Sequence, residues 1–192
     1  PGSKNSVALT TEEITVVELK TSNSTPDQGE VINVAAEITN VKNLFSYGLN
    51  IMYDPTVLEY QSIQTGSFLS ENATVSTSFQ AGLEDGKSGT LIVAEARTTE
   101  NRQGVNGSGT LFSMNFKVIG KVGTETQWLF DAGSFLSDFE NDITTKFTTA
   151  SITVTEDEGG STVKPVVNLQ AVQGSVRYTF QFIWEAPETG AE

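Results

Sequence analysis

Any chemistry in this chain would fall to carboxylates. Its 192 residues include no histidine and no cysteine. That removes the commonest general base, the commonest transition-metal ligand, the thiolate nucleophile and the disulfide together. Acidic pairs such as Glu84 with Asp85 and Asp138 with Glu140 remain. A glycosidase needs two carboxyl groups facing each other about 5 to 9.5 Å apart across a cleft. Sequence neighbours in turn-like stretches do not meet that need and read as solvated turns. Asp138, Glu140, Asn141 and Asp142 gather oxygen donors of the kind calcium takes, but the Asp-x-Asp-x-Asp-Gly frame of a calcium loop is absent. Asn23, Asn72 and Asn106 each open an Asn-x-Ser/Thr triplet, an acceptor only where a chain meets the glycosylation machinery. The expectation is a chain with no catalytic residues and no metal or cofactor of its own.

Eleven basic residues against 24 acidic ones give a net charge of −13. Nucleic acid and anionic membranes are repelled by such a surface. Neutral or basic proteins, neutral sugars and divalent cations remain as partners, and solubility alone would also account for the charge. There is no signal peptide and no apolar run of membrane-spanning length. Pro1-Gly2-Ser3 reads as a cloning remnant, and residues 1–5 as a leader.

The elements that must position any site are strands. Short runs of Val, Ile, Thr and aromatics are punctuated by Gly, Asn, Asp and Ser. Ile32, Val34, Ala36 and Ile38 alternate, as do Phe112, Met114, Phe116 and Val118. In "YGLNIMYDPTVLEYQSI" (47–63), Tyr47, Leu49, Ile51 and Tyr53 share one side. Asp54-Pro55 then makes a corner, since proline presets φ and aspartate caps the turn. Asp85-Gly86 signals a hairpin. In "TLIVAEAR" (90–97), Ile92, Ala94 and Ala96 lie on one side. About nine such strands within roughly 150 residues, with no long helical period, predict an all-β antiparallel sandwich of two sheets. "TEDEGGSTVKP" (155–165) breaks the composition and is read as a linker at 157–164. Residues 165–192 hold two strand-like runs around a turn. The echo "GSFLS" at 66–70 and 133–137 reads as two turns, each dropping a Phe-Leu pair into the core.

The ordered series of motifs over residues 6–156 resembles a cohesin module. It runs from "PDQGEVINVAAEI" through "YDPTVLEYQSI", "GTLIVAEAR" and "GSGTLFSMNFKVIG" to "AGSFLSDFENDI" and "ASITVTE". The tail from "VVNLQAV" is similar to the first strands of a fibronectin type III domain, with Trp184 facing inward. The resemblance implies a nine-stranded antiparallel jelly-roll β-sandwich with a short two-stranded C-terminal fragment. It implies no catalysis, and a dockerin as partner: a small helical module that carries the calcium itself. It also implies a place outside the cell or on a bacterial cell surface, in a carbohydrate-active enzyme or scaffold protein.

Dockerin contacts in that family fall on two strands that match "SYGLNIM" and "TLIVAEAR". If Tyr47, Leu49 and Ile51 are core, then Ser46, Gly48, Asn50 and Met52 face out. Leu91, Val93, Glu95 and Arg97 are expected outward on the neighbouring strand, as an apolar centre with a polar rim. The resemblance thus carries partner contacts onto Ser46, Gly48, Asn50, Val93, Glu95 and Arg97, with Gln80 added from the "SFQ" strand. Gly48 stands where many cellulosomal cohesins have Asp, which implies a different dockerin class. Carbohydrate binding on the same architecture is the alternative, alongside a spacer or adhesin role. It would need an exposed aromatic platform, for which Trp128 and Tyr60 are the candidates, though both also read as packing residues.

Overall fold

The computed structural model describes residues 13–100 and 102–156, and the backbone of 171–173 and 180–182. The chain divides into two compact units, residues 1–156 and 157–192.

The first unit is built from β1 (Thr15–Thr21), β2 (Val31–Leu44), β3 (Ser46–Met52), β4 (Leu58–Thr65), β5 (Thr77–Leu83), β6 (Thr90–Arg97), β7 (Val105–Val118), β8 (Glu125–Gln127), β9 (Leu129–Phe130), β10 (Phe135–Ser137), β11 (Thr145–Thr148) and β12 (Ser151–Thr153). One sheet runs β11-β1-β2-β7-β4. The other runs β10-β3-β6-β5, with β9 also on β3, and β8 pairs with β12. The alternations seen in the sequence close the core between these sheets. Ile32, Val34, Ala36 and Ile38 from β2, Phe112, Met114, Phe116 and Val118 from β7, and Tyr47, Leu49 and Ile51 from β3 are all buried. Among the described residues the structure is all-β, a sandwich as expected.

Two details differ from the expectation. Among the described residues of this unit twelve strand segments are found where about nine were expected, partly because "TQWLF" crosses between sheets. Its first half pairs with β12 and its second half with β3, while Trp128 between them gives its backbone N–H to Ala150 O. The sandwich is also not wholly antiparallel, since β1 and β11 pair in parallel from Thr15↔Thr145 to Glu18↔Thr148.

The corner after β3 forms as its sequence dictates. Asp54 Oδ1 accepts the Thr56 N–H at 2.8 Å and the Thr56 hydroxyl at 2.6 Å, and its carbonyl takes the N–H groups of Val57 and Leu58. These hydrogen bonds hold the Asp54 carboxyl below the usual aspartate range, the hydroxyl contributing most. Gly89, at φ +82°, lies so close beneath the corner that a Cβ there would sit 2.4 Å from Tyr53 O. The corner is thereby tied to the β5–β6 hairpin, where Gly86 takes the expected left-handed turn position.

In the second unit β13 (Ala171–Gln173) pairs antiparallel with β14 (Phe180–Phe182). Trp184 lies outside the described residues.

Candidate functional site

The pairing register decides which residues share a face. Antiparallel partners point to the same side of a sheet. Tyr47 pairs with Glu95, Gly48 with Ala94, Leu49 with Val93 and Asn50 with Ile92. Because Tyr47 and Leu49 face the core, so do Glu95 and Val93. Val93, Glu95 and Arg97 are therefore not outward: they are 0%, 2% and 5% exposed. The alternation along β6 was read rightly and its two sides were exchanged.

The exchange has a chemical reason. Charged residues are expected outside unless they are paired, and here they are paired within. Tyr47 Oη donates to Glu95 Oε2 at 2.9 Å. The Arg97 guanidinium gives Nη1 to Gln103 O at 2.7 Å and Nη2 to the Glu71 carboxylate. Arg97 thus ties the turn after β4 to the loop before β7 at one end of the sandwich. Glu95 and Arg97 hold the sheet from beneath.

The outward face of the same sheet forms ordered rows. Ser137, Ser46, Ala96 and Ser78 lie across one end. Phe135, Gly48, Ala94 and Gln80 cross the middle, followed by Asn50, Ile92 and Gly82. Leu129 and Met52 close the other end. Four of the seven residues picked from sequence, Ser46, Gly48, Asn50 and Gln80, come together here. With strands about 4.8 Å apart and about 3.4 Å of rise per residue, the face measures roughly 15 by 20 Å. Its width suits one or two helices, each about 10 Å across.

None of these outward residues carries a charge. The opposite sheet differs. Its outer face holds Glu18 paired with Lys20 at 3.3 Å, Glu59 opposite Lys117, and Glu37 accepting from Thr110. An amide ladder also runs across it from Asn33 through Asn115 to Ser62. One face of the sandwich satisfies itself, and the other offers small and apolar groups.

Sequence reading missed Phe135, Ala94, Ala96 and Ile92. Phe135 was assigned to the core on the strength of the "GSFLS" echo. Leu69 and Leu136 are indeed buried and Phe68 packs partly on the core, but Phe135 is 45% exposed. The signal that could have found it is strand parity: Leu136 pairs with inward Tyr47, so its neighbour must face out.

The other candidates resolve into structure. Trp128 is fully buried against Phe116, and Tyr60 packs edge-on to the same ring. Neither is an open platform for sugar. Asp138 Oδ1 accepts the N–H groups of Glu140 and Asn141, a turn cap. Among the described residues no helix is long and apolar enough to cross a membrane.

The family model for the cohesin domain matches residues 15–155. The chain belongs to the cohesin family. Cell surface glycoprotein 1 of Acetivibrio thermocellus is 44% identical to this cohesin over 43 residues, a stretch that covers 22% of the chain and 2% of that protein. Among solved structures, the third cohesin ScaC in complex with the ScaB dockerin, from Acetivibrio cellulolyticus, is similar with a TM-score of 0.62 at 19% identity, over 74% of this chain and 99% of that one. The second type II cohesin module of the adaptor ScaA scaffoldin from the same organism reaches 0.61 at 19%, over 81% and 99%. A non-cellulosomal cohesin from the archaeon Archaeoglobus fulgidus reaches 0.58 at 20%, over 77% and 95%. Likeness at these identities speaks for the fold, which this cohesin shares across the length of each neighbour.

Proposed function

We propose that this module binds a dockerin-bearing protein through the outward face of β10, β3, β6 and β5, and that it catalyses nothing. The observation that carries the reading is the contrast between the two faces. One is charged and internally hydrogen-bonded, while the other is uncharged and floored by Gly48, Ala94 and Ala96. A neighbour in fold was solved with a dockerin bound. Small residues let helices approach the sheet closely, and a standard interface buries about 1,600 Å² in total, with a few anchors carrying most of the energy. Ser46, Gly48, Asn50 and Gln80 are the contacts retained from sequence, and Phe135, Ala94 and Ile92 join them. Val93, Glu95 and Arg97 support the face from its buried side.

In this reading calcium belongs to the dockerin, the module works outside the cell or on its surface, and the longer protein is a scaffold or a carbohydrate-active enzyme. Residues 6–156 form the cohesin module, 157–164 link it, and 165–192 begin a fibronectin type III-like domain.

The test is calorimetric titration with a panel of dockerin-bearing proteins, with and without EDTA. Roughly one-to-one binding that EDTA abolishes is the expected result. A second titration uses Asn50 and Ala94 both replaced by arginine, which should abolish binding with the fold intact. Unchanged affinity in that variant would move the contact to another surface, and silence across a broad panel would overturn the dockerin reading.

A further inference from the structure

On the outward face an aromatic ring from the edge strand β10 is laid over a glycine of β3. A Cβ at Gly48 would meet Phe135 Cε1 at 2.6 Å and Cζ at 3.0 Å. The ring therefore occupies the space that any side chain at position 48 would need, and it stays open to solvent. Around it, Ile92 is 42% and Leu129 38% exposed, Met52 is half-buried, and the floor between them is Ala94. An exposed apolar group beside a charge-free floor is what a protein contact uses as its centre.

Charge collects at the two ends of this surface instead. At the Met52 end stand Glu84, Asp85 and Asp131, with Lys87 held by Glu84 at 2.6 Å. Asp131 belongs to this end because its N–H bonds to Asn50 O. At the Ser46 end stand Asp138, Glu140 and Asp142, in the turn that follows Ser137. Arg102 is the cation there, lying 4.4 Å from the Phe139 ring centroid. Among these side chains carboxylates outnumber cations at each end.

We infer that the partner presents a helix whose contact stripe is aliphatic at the positions over Phe135, Ala94 and Ile92, and whose basic side chains flank that stripe at both ends. This rests on the dockerin reading and specifies the chemistry of the dockerin it takes. A hydroxyl or carboxylate set on the Phe135 ring would be desolvated against that ring and the Ala94 methyl, while the polar side chains of Ser46 and Asn50 belong to the neighbouring rows. An aliphatic side chain loses nothing there and gains the ring's area. Lysine or arginine at the stripe's ends meets the acidic turns and is drawn in by them at low salt.

The experiment titrates the full chain against two sets of calcium-loaded dockerins. One has Leu, Val or Ala at the helix positions that face the sheet, and the other has Ser, Thr or Asp. The expected result is binding by the aliphatic set alone, with association slowed by added salt. Phe135→Ala should weaken that binding by at least about 30-fold, as for an anchor residue, with an unchanged melting temperature. Gly48→Ala should also weaken it, by pushing the ring aside. Preference for the hydroxyl or acidic set, equal binding of both, or Phe135→Ala binding like the parent would overturn this inference and leave the dockerin reading standing. Binding by neither set overturns both.

Discussion

Tyr47 and Glu95 form the most consequential pair of residues in the core. A carboxylate that is 2% exposed needs a donor, and the Tyr47 hydroxyl supplies it at 2.9 Å. Burial, then the Glu95 charge and hydrogen bond, push the Tyr47 phenol well above its ordinary range. Its contribution to stability is fully present below pH about 10, where an unfolded tyrosine titrates. Above that pH the unfolded chain releases the phenolic proton and the folded one keeps it. Stability should then fall by about 1.4 kcal/mol per pH unit. Tyr47→Phe should remove its share of that slope, leaving the part due to Tyr53 and Tyr60, whose phenols burial also raises, and at neutral pH it should cost about 1–3 kcal/mol by leaving Glu95 without its donor. Urea unfolding of both proteins from pH 7 to pH 11 reads the two effects, and parallel pH profiles would count against this account. Asp54 works with the opposite sign. Its lowered carboxyl stabilises the corner above the usual aspartate range, and the benefit disappears as pH falls through its lowered value. Asp54→Ala should cost about 1 kcal/mol at pH 7 and nothing in strong acid, measurable as a gap in melting temperature that closes on acidification.

At the scale of elements, β6 turns side-chain parity into a test. Val93 and Ala94 are neighbours on opposite sides of one sheet. Val93→Arg should lose about 3–5 kcal/mol or unfold the module, because it buries an unpaired charge. Ala94→Arg should shift stability by no more than about 0.5 kcal/mol while blocking the outward face. Thermal melts of the two variants would show whether the face has been drawn on the right side. The same strand marks how far the sequence could be read. β2, β3 and β7 were legible because every second residue is large and apolar, so only one side could be core. In β6 both sides qualified. Ile92, Ala94 and Ala96 looked like core, while Glu95 and Arg97 looked like surface. The side depends on the Tyr47↔Glu95 register, a contact between residues 48 positions apart, and no local pattern carries that information. Ser46, Gly48 and Asn50 face outward as read because they lie on β3, whose parity was plain, and Gln80 on β5 shares their face through its pairing with Ala94. Phe135 escaped notice because its strand has only three residues, too short to show alternation.

For the module as a whole, net charge and topology act over longer distances. The net charge of the chain is −13, and among the described residues no charged side chain lies on the outward face, so repulsion keeps molecules apart without obstructing the contact surface. Topology adds something of another kind. The first strand of the sandwich, β1, lies in parallel beside β11, close to the end of the unit. Tension on the chain before Thr15 and after the sandwich would pull these two strands in opposite directions along their length. The four residue pairs from Thr15↔Thr145 to Glu18↔Thr148 would then resist together, as a lap joint does, instead of peeling one by one. Stretching the module by its two ends in a force microscope should give a high rupture force. Replacing Val17 and Phe147, opposed in that joint, by glycine should lower it. A module joined in this way can hold an assembly together under flow as well as at rest.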